Sequence, residues 1–162
     1  MRVIKGHKII EDDWHRLEQL DSDQELPEGK IIFPFEYWLA NRDRLMVVDK
    51  QYAVWVNGDH ETEVIARDLD YFELIALDFP AFTDGRSYSH ARLLRERYGF
   101  SSELRAVGEV LRDQLFFMQR CGIDSFQLKQ DKDMKDALRA FTEFSVKYQT
   151  AADQVPPVYK LR

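Results

Sequence analysis

The sequence predicts an α/β fold: about five mainly parallel strands alternating with helices, either an open sheet or part of a β/α barrel, with an N-terminal β-hairpin. Three observations predict it. From Ile31 onward, strand-like and helix-like segments alternate at roughly 20-residue spacing, the pattern of βαβ units on a parallel sheet. Glycine or proline falls where each segment should stop, at Asn57-Gly58, Pro80, Gly99, Gly108 and Gly122. The first ten residues are two short strand-like pieces around a Gly6-His7 turn.

Taken in order, Arg2–Lys5 and Lys8–Ile10 form the hairpin. The acidic stretch that follows ends at Leu26-Pro27-Glu28-Gly29 and reads as a loop, with a helical turn near Trp14–Leu20. Ile31–Phe33 is a strand. Pro34 suits the first turn of a helix running to about Arg44, with Phe35, Trp38, Leu39 and Arg42 on one face. Tyr52–Val56 is a strand, Glu61–Leu69 a short helix, Glu73–Phe79 a strand and Ser87–Tyr98 a helix. Glu103–Val107 is a strand, Leu111–Cys121 a helix, Ser125–Leu128 a strand and Asp131–Phe144 a helix. Pro156-Pro157 stops any further helix, so the end reads as an extended tail. The expectation is one domain over residues 1–162: hairpin and acidic loop to 30, a βα core from 31 to 149, and the tail from 150.

Composition excludes several function classes. Apolar residues make up 44% and aromatics 13%, ample for a core. The longest apolar run, Tyr52–Val56, is far short of the ~20 residues of a spanning helix. Met1–Gly6 has no signal-like apolar stretch, so a cytoplasmic location and no membrane contact are expected. A net charge of −6 argues against nucleic acid as a partner. The single Cys121 excludes an intramolecular disulfide, a Cys-x-x-Cys redox pair and a four-thiolate iron–sulfur site. Lying at a helix C-terminus, where the dipole disfavours a thiolate, Cys121 reads as a packing residue. His7, His15, His60 and His90 show no metal-ligand spacing, so no metal is predicted. The dinucleotide, phosphate-loop and nucleophile-elbow glycine motifs are missing, and no cofactor is predicted.

Ligands of parallel sheets belong at the carboxyl ends of the strands. There the loops Asp78–His90 and Gly108–Gln114 lead into predicted helix N-termini, which favour an anion. Arg86 and Arg112 add positive charge, while Ser87, Ser89 and Gln114 add neutral donors; sulfite, sulfate or phosphate suits that set. The same residues also have a purely structural reading, in which Asp84 or Ser87 caps the helix and each arginine pairs with a nearby acid. Asp78 and Glu109, near adjacent strand ends, form a candidate acid–base pair, with helix and turn capping as the structural alternative. Residues 86–120 hold seven Arg, no Lys and four acids, so they carry +3 against −9 for the rest.

The runs Phe79–Ser89, Ala91–Gly99, Leu104–Gly108 and Val110–Leu115 resemble a bacterial family of unknown function whose members are described as oxidoreductases of sulfite reduction. That description rests on their genes lying beside the gene of the sulfite reductase haemoprotein. The resemblance extends from about Ile31 to Leu128. It places Asp84, Gly85, Arg86, Tyr88, Ser89, Arg105, Gly108, Arg112, Asp113 and Gln114 in the family's motif without giving them roles. Arg105 thereby joins Arg86, Ser87, Ser89, Arg112 and Gln114 as a candidate anion ligand. Two expectations follow. One is an accessory protein of sulfite reduction that acts with the sulfite reductase haemoprotein, offering the Arg-rich block, Arg92 and Arg95 included, as its contact surface. The other is a small α/β enzyme or binding protein that holds an oxyanion at Arg86 and Arg112. A flavin bound through a non-standard phosphate site and a homo-oligomer stay open.

Overall fold

The computed structural model describes residues 1–80, 85–129 and 133–143. In chain order its elements are β1 (Arg2–Lys5), β2 (Lys8–Glu11), β3 (His15–Arg16), β4 (Ile31–Pro34), α1 (Phe35–Met46), β5 (Tyr52–Val56), α2 (Thr62–Ala66), β6 (Phe72–Phe79), α3 (Arg86–Glu96), β7 (Glu103–Gly108), α4 (Leu115–Arg120), β8 (Ser125–Phe126) and α5 (Met134–Glu143). Short 3-10 turns, Leu69–Tyr71 and Arg112–Gln114, precede β6 and α4.

All eight strands belong to one sheet, ordered β2-β1-β8-β7-β6-β5-β4-β3. From β3 to β8 every neighbour is parallel and strand order follows chain order. Such an arrangement has no switch point, and successive right-handed crossovers put the helices on one side. The sheet therefore curls as a β/α half-barrel. The hairpin caps its far edge, β1 pairing antiparallel with both β2 and β8.

Two apolar clusters mark the two faces. The larger joins strand residues such as Phe33, Val54, Ile75, Leu77 and Ala106 to helix residues such as Trp38, Ile65, Leu94, Met118 and Phe141. The smaller holds Ile32, Ala53, Leu74, Ala76 and Val107, with Trp14 and Trp55 packed on them and no helix residue. This second, concave face is roofed by the chain that follows β2. Only Asp12–Trp14 separate β2 from β3, although these strands lie at opposite edges of the sheet. Four Cα steps reach at most about 14 Å, so the curl brings the two edges close enough for that stretch to bridge them.

Several expectations change. Trp14–Leu20 holds strand β3 rather than a helical turn. His15 and Arg16 pair in register with Ile31 and Ile32, and the Leu17 N–H donates to the Ile32 carbonyl at 2.9 Å. The sheet gains one strand the sequence did not announce, because β3 stands on backbone pairing rather than on an apolar pattern. Leu39 is 42% exposed, and Tyr37 joins the buried face of α1 in its place. Glu61–Leu69 and Leu111–Cys121 each divide into a short α-helix and a 3-10 turn. Pairing of β8 ends at Phe126, before Leu128. Asp131, Phe144 and the tail from 150 lie outside the described residues.

Candidate functional site at the carboxyl ends of the strands

β6 and β7 run side by side to their ends, Asp78 opposite Val107 and Phe79 opposite Gly108. The Glu109 N–H then donates to the Phe79 carbonyl at 2.7 Å, tying the exit of β7 to that of β6. Gly108 has φ +89, and a Cβ there would sit 2.6 Å from the Phe79 carbonyl oxygen and 2.8 Å from Asp78 Oδ1. Both the backbone conformation and the close approach require glycine. This junction brings the Asp78 carboxylate against the exit of β7 and leaves Glu109 beyond it.

A cavity of about 270 Å³ opens at this end of the sheet, lined by Arg16, Phe79, Pro80, Gly108, Glu109, Gln127, Leu128 and Lys129. Glu109 forms an ion pair with Lys129. The Arg16 guanidinium lies 5.5 Å from the centre of the Trp55 ring, a cation–π contact. Trp55 is itself fixed by donating its indole N–H to the Leu17 carbonyl at 2.8 Å. Among the described residues no carboxylate forms an ion pair with Arg16. The Gln127 side-chain carbonyl oxygen is shut off from solvent and accepts no hydrogen bond from the described residues.

The anion-binding candidates are distributed differently. Arg86 pairs with Asp59 at 2.6 Å, reaching back toward the exit of β5, with both side chains well exposed. Arg112 pairs with Asp136 of α5 at 2.9 Å, reaching the other way around the arc. These two ion pairs tie the arginines to different parts of the chain. Ser87 is buried and donates its hydroxyl to the Asp78 carbonyl at 2.7 Å, fastening the first turn of α3 to β6. Ser89, Gly85 and Asp113 are exposed, and Gln114 is half-buried in the 3-10 turn before α4. Tyr88 packs against Phe79 and Phe117, and burial pushes its phenol up to about 12. Asp84 lies outside the described residues.

Arg105 sits on the concave face, in the middle of β7 and almost fully buried. It holds Asp12 with two hydrogen bonds of 2.7 and 2.9 Å, and donates to Glu103 at 2.8 Å and to Ser125 Oγ at 3.1 Å. Lys5 donates to the other Glu103 oxygen at 2.7 Å. Burial alone would raise the Asp12 and Glu103 carboxyls, but their hydrogen bonds and the nearby positive charge hold both below their ordinary values. The network is neutral in sum, and its arginine is committed to the roof of the concave face.

Arg95, expected on a docking surface, is 7% exposed. It donates to the carbonyls of Gly122, Phe100 and Ser102 at 2.7–2.8 Å, closing the loop after α3. Cys121 is buried, which raises its thiol pKa, and Arg92 approaches its sulfur at 3.7 Å. His60 and His90 both hold the backbone of Asn57, His60 Nδ1 accepting its N–H and His90 Nε2 facing its carbonyl. Burial lowers the His90 pKa. Among the described residues no three metal-ligating side chains gather, and no described helix is long and apolar enough to cross a membrane.

Sequence reasoning missed Arg16, Gln127 and Lys129. The strand-end rule applied to Ser125–Leu128 leads to Gln127 and Lys129, but nothing in their local pattern singled them out. Arg16 reaches the mouth only because the sheet curls.

A family model described as "Bacterial protein of unknown function (DUF934)" matches residues 53–159. No curated protein and no solved structure matches the chain.

Proposed function

The chain belongs to this bacterial family of unknown function, and we propose that it serves as an accessory binding protein of sulfite reduction that holds a small oxyanion at the mouth of its half-barrel. The observation that carries the binding step is Arg16: a guanidinium stacked on Trp55, with no carboxylate paired to it among the described residues, facing the cavity that Lys129 and Gln127 also line. Guanidinium offers two parallel N–H donors to two oxygens of an oxyanion, and the carboxyl ends of parallel strands are where such folds keep their ligands. The sulfur part of the reading comes from the resemblance of residues 79–115 to proteins described as acting in sulfite reduction.

Calorimetric titration with sulfite and sulfate tests the binding step. Arg16→Ala should weaken the oxyanion about tenfold or more, the worth of one charge-assisted contact. An unchanged affinity would remove the mouth from consideration. Recovery of the sulfite reductase haemoprotein in stoichiometric amount, on tagged protein from cells grown on sulfate, tests the accessory role; its absence from a controlled pull-down counts against a stable complex. Glu109 lines the same cavity, which favours a second reading in which the held anion is also transformed. Glu109→Gln should then abolish turnover while sparing binding.

A further inference from the structure

The mouth adjoins a second cavity, of about 530 Å³. Gln127, Leu128 and Lys129 line both. The second is also walled by Met1, by Arg2 and Ile9 of the hairpin, and by Asp133, Met134 and Lys135 at the start of α5. Cavities of about 300–1,000 Å³ typically hold organic ligands, and a bare oxyanion would occupy only a small part of this one.

Its lining says what such a ligand is. Ile9, Leu128 and Met134 supply an apolar wall. Among the described lining residues of the two cavities, Arg2, Arg16, Lys129 and Lys135 face two carboxylates, Glu109 and Asp133, a positive surplus in a chain of net charge −6. Among the described residues no carboxylate pairs with Arg2 or Lys135, as none does with Arg16. Gln127 lines both cavities and stands between them.

We infer that the two cavities form one site for an amphiphilic organic anion. Its acidic headgroup meets Arg16 and Lys129, and its apolar body lies on Ile9, Leu128 and Met134, within reach of the charges of Arg2 and Lys135. The inference rests on the anion reading of the mouth and replaces the bare oxyanion with a larger ligand that carries one.

The test uses the full chain and 1-anilinonaphthalene-8-sulfonate, which combines a sulfonate, an N–H and an aromatic body, titrated by fluorescence alone and against sulfite. One equivalent should bind, sulfite should displace it, and Lys135→Glu should weaken the probe about tenfold while leaving the affinity for sulfite unchanged. Asp133→Asn should tighten the probe. Asp133 Oδ1 accepts the N–H groups of Lys135 and Asp136, and asparagine keeps that helix cap while removing the charge. No probe binding, probe affinity indifferent to Lys135→Glu, or probe and sulfite bound together without competition would each overturn the single site, and the mouth would then stand or fall on its own sulfite titration. If Arg16→Ala alters neither ligand, both readings fall together.

Discussion

Arg105 and Arg16 lie on the same concave side of one curled sheet, and they keep opposite company. Arg105 is sealed between Asp12 and Glu103, its charge cancelled and its donors used. Arg16, at the mouth, rests on an aromatic ring and has no carboxylate partner among the described residues. The difference teaches where the fold places structure and where it places recognition. A guanidinium deep in the curl must be neutralised, because an uncompensated buried charge is prohibitive. At the carboxyl ends of the strands solvent can stand in for the missing anion, so the positive charge can remain available. Residue type alone does not separate the two roles; depth along the strand does.

The comparison is broken most severely by Arg105→Met. It leaves Asp12 and Glu103 buried without their main cation, so a loss of about 3–5 kcal/mol is expected in chemical unfolding. A loss below about 1 kcal/mol would mean that the network does not hold the roof in place. The next effect is on pH. Both carboxyls lie below their ordinary values of 3.8 and 4.5 in the folded chain. Their stabilisation is therefore complete above those values and is lost as pH falls through the lower folded ones. Unfolding midpoints measured downward from pH 6 should fall for the wild type and fall less for Arg105→Met. The smallest effect belongs to Arg16→Ala. Losing one partly exposed cation–π contact should cost no more than about 1 kcal/mol, while anion binding drops. A large destabilisation there would make Arg16 a structural residue like Arg105.

Much of the fold was legible in the sequence. The alternation of segments after Ile31 is carried by apolar periodicity and by stop residues, and these act locally. The choice between an open sheet and a barrel arc was not legible, because it depends on strand order, which no local pattern encodes. β3 was hidden for a related reason: His15 and Arg16 are a strand because Ile31 and Ile32 offer them backbone partners. The site was read from residue chemistry at strand ends. That rule located the junction of Phe79 with Gly108, and Glu109 beside the cavity. It could not foresee that Arg86 pairs with Asp59 and Arg112 with Asp136, nor that Arg105 is spent on Asp12, 93 residues away in the chain.

The hairpin's place in the sheet has a consequence for synthesis on the ribosome. β1 pairs with β8, Ile4 opposite Phe126, so β1 finds its inner neighbour only about 120 residues of synthesis later. At about 5–20 residues per second, the nascent hairpin waits on the order of ten seconds with that edge unmet. Waiting edges invite pairing with other chains, and charged residues at an edge discourage it. Lys5, Lys8 and Glu11, all exposed at the ends of the two strands, are charges of that kind.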